Sequence, residues 1–121
     1  MELLRLFSDE HGESHFDVVE RSMTLLNAAP PAEPVFFTQS EPATGWASLK
    51  CLPGWYGGLH PAPRRQLLIY TAGLLRMTSS SGEDRDLSPG SAVLVEDTKG
   101  KGHISKVMSE VPFEAVVISL E

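Results

Sequence analysis

The chain has 121 residues, of which 41% are hydrophobic and 21% charged, which indicates a single globular domain with a core of its own. Its net charge is -6 and it has no basic stripe, so we expect no binding to nucleic acid. No apolar run approaches the ~20 residues of a membrane-spanning helix. The opening MELLRLFSDEHGE has no basic leader, so we expect a cytoplasmic protein that does not engage membranes.

The first 45 residues carry the whole charge excess, with eight acidic and two basic side chains. Four prolines between residues 30 and 42 interrupt this region, which predicts an irregular N-terminal arm with edge strands. Within the arm, Met23–Leu26 and Val35–Thr38 are expected to be short strands. The segment SHFD at residues 14–17 is compatible with a capping box that begins one helical turn. It is equally compatible with an edge strand through Phe16, Val18 and Glu20.

The remaining residues, 46–121, are consecutive apolar stretches separated by turn signals such as Pro53-Gly54, SSSGED and Ser88-Pro89-Gly90. This pattern is typical of a β-sandwich or β-barrel, and no segment has the length and period of an amphipathic helix. Cys51, the single cysteine, is expected to be buried in a strand. The predicted strands are Trp46–Leu52, Gln66–Thr71, Leu74–Thr78, Arg85–Leu87, Ala92–Val95, His103–Met108 and Phe113–Leu120.

Two stretches, HPAPRRQLLIYTAG from His60 to Gly73 and SPGSAVLVEDTKGKGH from Ser88 to His103, resemble the two sequence motifs of a small cupin barrel. Gly90 and His103 correspond to the first glycine and final histidine of the second motif. The strings HPAPRRQ and EDTKGKGH also resemble an uncharacterised bacterial subgroup of cupins. The resemblance implies an all-β, antiparallel jelly-roll barrel that forms one domain over residues 1–121, with its core in residues 46–121.

The first motif departs from the cupin pattern at the positions that usually bind metal. A cupin metal centre uses three histidines and one carboxylate, and only His60 and His103 remain of that set. Ala62 stands at the second histidine position, and Gln66, at the carboxylate position, offers only a neutral amide oxygen. The resemblance therefore implies either no cofactor or a weakly bound divalent transition metal held by His60 and His103. Residues that could complete a different ligand set are Glu96, Asp97, His11 and His15.

The resemblance also implies a ligand pocket inside the barrel. Gln66 shares a strand face with Leu68 and Tyr70, so these three side chains are expected to point inwards together. Trp55 is expected either at the pocket wall or in barrel-rim packing. The pocket residues that the sequence predicts are His60, Gln66, Leu68, Tyr70, His103 and Trp55.

The function expected from these features is the binding of a small molecule, with a metal site that is weak or absent. The alternative is a metal-dependent oxygenase or isomerase that uses His60 and His103 as ligands, and a third possibility is a structural or partner-binding protein. No catalytic residue can be assigned from the sequence. We also expect a homodimer, since an open barrel has edge strands and the proline-broken arm can add a strand to a partner.

Overall fold

The computed structural model describes all 121 residues and contains twelve strands and no helix. The all-β prediction is therefore confirmed, and no helix long and apolar enough to cross a membrane is present. The strands are β1 (Glu2–Ser8), β2 (Ser14–Glu20), β3 (Met23–Leu26), β4 (Val35–Thr38), β5 (Ala43–Cys51), β6 (Tyr56–His60), β7 (Gln66–Ala72), β8 (Leu75–Ser79), β9 (Asp84–Leu87), β10 (Ala92–Glu96), β11 (His103–Val107) and β12 (Phe113–Leu120).

Ten of these strands form two sheets with a core between them. The larger sheet has six strands in the order β2-β1-β10-β7-β12-β5, and the smaller has four in the order β6-β11-β8-β9. Neighbouring strands are antiparallel except β1 and β10, which run parallel with Leu4 opposite Val93. No hydrogen-bonded ladder joins the two sheets, so the jelly roll is not a closed barrel.

The core is built from the inward-facing side chains of both sheets, as the two-residue period of a strand requires. At its centre Tyr70 and Phe113 meet edge to face, with ring centroids 5.0 Å apart and planes at 83°. Cys51 is buried as predicted, and burial raises the pKa of its thiol. The buried residues of the core are Leu6, Phe16, Cys51, Ala62, Leu68, Tyr70, Leu75, Met77, Leu87, Val93, Val95, Val107, Phe113 and Ala115.

The N-terminal region is more ordered than the sequence indicates. No strand is predicted over residues 1–8, yet β1 lies inside the larger sheet between β2 and β10, and Leu6 is fully buried. The segment SHFD belongs to β2, so the edge-strand alternative is correct and the capping box is wrong. Instead of capping a helix, the Ser14 hydroxyl donates to the carbonyl of Gly102 at 2.7 Å.

The strand β6 is also absent from the sequence-based prediction. Its segment, YGGLH, contains Gly57 and Gly58, and glycine is depleted in strands because it has no side chain to pack. The structure pairs β6 with β11, placing Tyr56 opposite Lys106 and His60 opposite His103. This pairing positions the first histidine of the motif.

Strands β3 and β4 pair only with each other and form a separate hairpin, with the bounds predicted from the sequence. The hairpin comprises residues 23–38. A chain of ion pairs lies at its base, where Arg21 contacts Glu41 at 3.3 Å and Glu41 contacts Arg65. Arg65 in turn contacts Glu96 on β10. The base of the hairpin is thus tied to the larger sheet.

Candidate functional site

A cavity of about 140 Å³ lies between the two sheets. Nine of the fourteen residues that line it are hydrophobic, so polar groups are a small minority of its surface. All six pocket residues predicted from the sequence are among them. The complete lining is Leu49, Trp55, His60, Ala62, Pro63, Gln66, Leu68, Tyr70, Leu75, Met77, Val95, His103, Ser105 and Phe113.

Two imidazole rings lie side by side on one wall of the cavity. His60 ends β6 and His103 begins β11, and the two are directly opposite in the antiparallel ladder, so their side chains share one face. Their ring centroids are 4.9 Å apart and their planes are inclined by 49°. His103 is buried, whereas His60 is exposed at the rim of the cavity.

A buried carboxylate orients His103. The Nδ1 atom of His103 lies 2.5 Å from Oδ2 of Asp97, and Asp97 is fully buried. The carboxylate accepts the hydrogen bond, which assigns the proton to Nδ1 and leaves Nε2 available to a molecule in the cavity. The second oxygen of Asp97, Oδ1, has no hydrogen-bond partner in the protein.

The tautomer of His60 is set in the same way. Its Nδ1 lies 2.5 Å from the carbonyl oxygen of Gly58 and donates to it, so Nε2 of this ring is also an acceptor when the imidazole is neutral. The cavity wall therefore presents two imidazole nitrogens of the same kind. In each ring Nδ1 is hydrogen-bonded to the protein, and Nε2 is available to accept a hydrogen bond from a ligand.

The sequence indicates Asp97 only as an alternative metal ligand, whereas the structure makes it the hydrogen-bond partner of His103. It follows β10, in which Val93 and Val95 face inwards. Continuing that two-residue alternation by one step places position 97 on the inward side. The carbonyl of Asp97 accepts a hydrogen bond from the amide of Ala62 at 2.9 Å, which ties the Asp97 loop to the segment that follows His60.

The floor of the cavity is apolar and neutral. Tyr70 is almost completely buried and its hydroxyl donates to the sulfur of Met77 at 3.1 Å, a weak acceptor. Burial raises the pKa of Tyr70 well above its ordinary value, so the phenol is protonated at any physiological pH. Gln66 is half-buried and lines the same cavity, and its side-chain amide can both donate and accept a hydrogen bond.

The residues present do not fit the three-histidine, one-carboxylate set of a cupin metal centre. Ala62 is buried at the cavity with no donor atom, and no group of three or more histidine, cysteine, aspartate or glutamate residues is placed to hold a metal ion. His15 is bonded to Asp9 at 2.7 Å, and Glu96 is paired with Arg65. None of the residues His11, His15 and Glu96 lines the cavity, so none of them completes a ligand set there.

Comparisons with known structures give the same architecture. The chain matches a cupin domain from Bordetella pertussis with a TM-score of 0.50 and 19% identity, over 63% of this chain and 79% of that one. It matches a sugar phosphate isomerase of the cupin superfamily from Silicibacter pomeroyi with a TM-score of 0.52 and 16% identity, over 91% and 60% of the two chains. The cupin domain of Cnp3 from Schizosaccharomyces pombe gives a TM-score of 0.51 and 10% identity, over 89% and 73%.

The chain has the cupin fold. The sequence resemblance carried by the two motifs is thereby confirmed at the level of architecture. No protein-family model and no curated protein sequence matches the chain. At 10–19% identity, the cupin neighbours establish the fold, and the function has to be argued from the cavity itself.

Proposed function

We propose that this cupin-fold protein binds a small molecule in the cavity between its two sheets. The observation that supports this best is the pair of imidazoles, 4.9 Å apart, on the wall of a mainly apolar cavity. Ligand sites are typically apolar concavities with a few polar groups that orient the ligand. A volume of about 140 Å³ is comparable to the ~150 Å³ apolar cavity that accepts benzene, so the ligand is about that size.

The hydrogen-bonding groups of the cavity narrow the chemistry of this ligand. With Nδ1 protonated on both rings, His60 and His103 offer acceptors to a ligand hydroxyl or carboxyl group. Gln66 can donate to or accept from the same group. We therefore propose an apolar or aromatic molecule that carries one or two oxygen functions. A carboxylic acid can in addition transfer its proton to His103, whose cation the Asp97 carboxylate would stabilise.

The proposal includes a metal site that is weak or absent. Two imidazoles supply two of the three or more protein ligands that hold a transition metal tightly. The second candidate function is a metal-dependent isomerase or oxygenase with His60 and His103 as two ligands. The adjacency of the two rings favours it, and one structural neighbour is described as a sugar phosphate isomerase. The metal content of the purified protein distinguishes the two candidates.

The test is a screen of hydroxylated and carboxylated aromatic compounds of roughly benzene to naphthalene size. Binding is followed by thermal shift and by the imidazole proton resonances in NMR spectra. A ligand present at 100 times its Kd stabilises the native state by about 2.7 kcal/mol. Ala62→Leu, which fills the cavity, and His103→Gln should both abolish the shift.

His11→Gln is the matched control, because His11 is exposed and lies outside the cavity. The shift should survive this substitution unchanged. A ligand whose stabilisation is the same in the wild type, Ala62→Leu and His103→Gln would place the binding elsewhere and contradict the proposal.

A further inference from the structure

The hairpin exposes apolar side chains on both of its faces. The pairing of Leu25 with Phe36 and of Leu26 with Val35 puts Leu25 and Phe36 on one face and Leu26 and Val35 on the other. Phe36 is 63% exposed, Leu25 54% and Val35 46%. A two-stranded hairpin is marginally stable in water by itself, so a hairpin without a covered face needs a partner surface.

The outer face of the larger sheet is also apolar where it is formed by β7, β12 and β5. Cross-strand pairing aligns one continuous row over four strands, from Leu94 on β10 through Leu67 on β7 and Ile118 on β12 to Trp46 on β5. The row begins at Leu94, which lies beside the Arg5–Asp17 ion pair and is only 3% exposed. It ends at Trp46, which is 73% exposed. A solvent-facing side of an antiparallel sheet is normally polar, which makes this face unusual.

The smaller sheet provides the internal comparison. On its outer face Arg76 and Asp86 form a bidentate ion pair, with distances of 2.7 and 3.0 Å. Beside it, the Thr78 hydroxyl donates a hydrogen bond to Asp84. That face has the polarity expected of a surface in contact with water. The row of apolar residues across neighbouring strands therefore distinguishes the larger sheet from the β8–β9 part of the smaller one.

The hairpin and the outer face of the larger sheet meet in one concave surface. A groove of about 450 Å³ runs between them, with Arg21 and residues 38–41 at the hairpin side and Leu67, Ile69 and Ile118 on the floor. The ion pairs of Glu41 with Arg21 and Arg65 hold the hairpin base beside this floor. The base of the hairpin thus lies beside a sheet face that is exposed at Ile69 and Trp46.

The exposed area has the size of one half of a dimer interface. The accessible surface of the chain is 7302 Å² for a mass of 13.2 kDa. A compact monomer of that mass exposes about 6,400 Å², which leaves an excess of roughly 900 Å². A standard protein interface buries about 800 Å² on each partner.

We propose that two copies of this chain form a two-fold dimer in which the hairpin of each copy packs on the outer face of the larger sheet of the other. A two-fold axis lets both unpartnered apolar surfaces of each chain be covered at once. This gives the expected homodimer a specific interface, in which side-chain packing between faces provides the contact.

The charge distribution favours a second copy over a lipid surface. Residues 22–49 contain no lysine or arginine, and the hairpin connection carries Glu33. Segments that dock on anionic membranes are rich in basic residues beside their apolar side chains. An acidic, cation-free hairpin is suited to an uncharged protein face instead.

The first test is sedimentation of the wild type and of Phe36→Asp. The wild type should have twice the 13.2 kDa mass of the chain at low micromolar concentration. Phe36→Asp should raise the dimer dissociation constant at least 100-fold, since it places a charge at a buried apolar contact. Its circular dichroism should be unchanged, because Phe36 is exposed in the single chain.

Val111→Asp is the matched control. Val111 is 57% exposed in the turn between β11 and β12, outside the proposed interface, so this variant should remain a dimer. A wild type that is monomeric at 100 µM would overturn the proposal. So would a Phe36→Asp variant that dimerises as well as the wild type, or monomeric protein that floats with phosphatidylcholine–phosphatidylglycerol vesicles.

A mixing experiment distinguishes hairpin-on-sheet packing from hairpin-on-hairpin packing. Ile69→Lys changes the partly exposed floor of the groove and should by itself give a monomer. Mixed with Phe36→Asp, it should form a heterodimer, because one intact hairpin then meets one intact sheet face and the other contact joins opposite charges. If each variant is monomeric alone and the mixture stays monomeric, the hairpin does not pack on the partner's sheet.

Discussion

Gly102 packs directly against His60: a Cβ atom built on Gly102 would lie 1.9 Å from the carbonyl oxygen of His60. The backbone of Gly102 has a φ of +80°, in the left-handed region that favours glycine. The contact brings the loop before β11 onto the end of β6. It therefore helps to fix the distance between His60 and His103, on which the proposed ligand site depends.

Gly102→Ala should be strongly destabilising, by about 3 kcal/mol or more, because the left-handed conformation alone costs an alanine 1–2 kcal/mol and the clash with backbone adds to it. Gly54→Ala is the control, since Gly54 has a φ of +82° and open space around its Cα. Gly54→Ala should lose only the stability that the left-handed conformation costs an alanine, because nothing lies close enough to clash with the added Cβ. Urea denaturation of the two variants measures the difference, and equal losses would mean that the His60 contact is unimportant.

Asp97→Ala and Asp97→Asn should behave differently. The alanine variant leaves the buried Nδ1–H of His103 without an acceptor, which costs about 1–3 kcal/mol. The asparagine variant retains an acceptor oxygen and should lose less stability. In nitrogen NMR spectra His103 should keep its Nδ1-protonated tautomer in the wild type and lose that preference in Asp97→Ala. A mixed tautomer in the wild type would contradict the assigned role of Asp97.

The metal prediction concerns Ala62 and Gln66, which replace an imidazole and a carboxylate of the usual cupin set. Protein purified without chelator or affinity-tag nickel should contain substoichiometric metal. The double variant Ala62→His, Gln66→Glu should raise the occupancy towards one ion per chain and gain thermal stability when metal is added. Elemental analysis of both proteins tests this. One tightly held transition metal per wild-type chain, lost on His60→Ala, would favour the enzyme instead.

A pH dependence is expected from the pair Asp9 and His15, whose Oδ2 and Nε2 atoms are 2.7 Å apart. The hydrogen bond with Asp9 raises the pKa of His15 above its ordinary 6.5, and the same contact lowers the pKa of Asp9 below 3.8. The contribution of the charged His15 to the free energy of unfolding is complete below pH 6.5. It is lost as the pH rises through the raised pKa of His15. The stability from Asp9 is lost only when the pH falls through its lowered pKa.

The measurement is the unfolding free energy of the wild type and His15→Gln from pH 4 to pH 9. The unfolding free energy of the wild type should exceed that of His15→Gln most between pH 4 and 6. This difference should shrink as the pH rises through the raised pKa of His15. His11→Gln is the control, because the His11 side chain is 79% exposed. A wild-type advantage that grows with pH would show that the pair does not stabilise the charged imidazole.

The strands that could be predicted are apolar stretches with turn signals before and after them. Gln66–Ala72 is such a stretch, and Leu68 and Tyr70, which the two-residue period of a strand places on one face, are both buried. The opening strand was not predicted because no turn signal precedes ELLRLFS and a charged residue, Arg5, interrupts its apolar residues.

The candidate site, like the fold, could be predicted only in part from the sequence. The motif spacing indicated that His60 and His103 belong together, and the structure places them opposite each other in the β6–β11 ladder. The bond from His103 to Asp97 depends on how the loop after β10 folds back over the core. The alternation of β10 places position 97 on the inward side, but it does not specify that the six-residue loop returns His103 to the same place.

The parallel pairing of β1 with β10 has a consequence for how the chain folds. Leu4 lies opposite Val93, so the first strand has no place in the larger sheet until most of the chain has been synthesised. Contacts this distant in sequence carry a high loop-closure cost and slow folding. During translation, at about 5–20 residues per second, the segment LLRLF must wait several seconds for its partner. We expect that capturing this segment, for example by a chaperone, affects the yield of folded protein more than capturing any later strand.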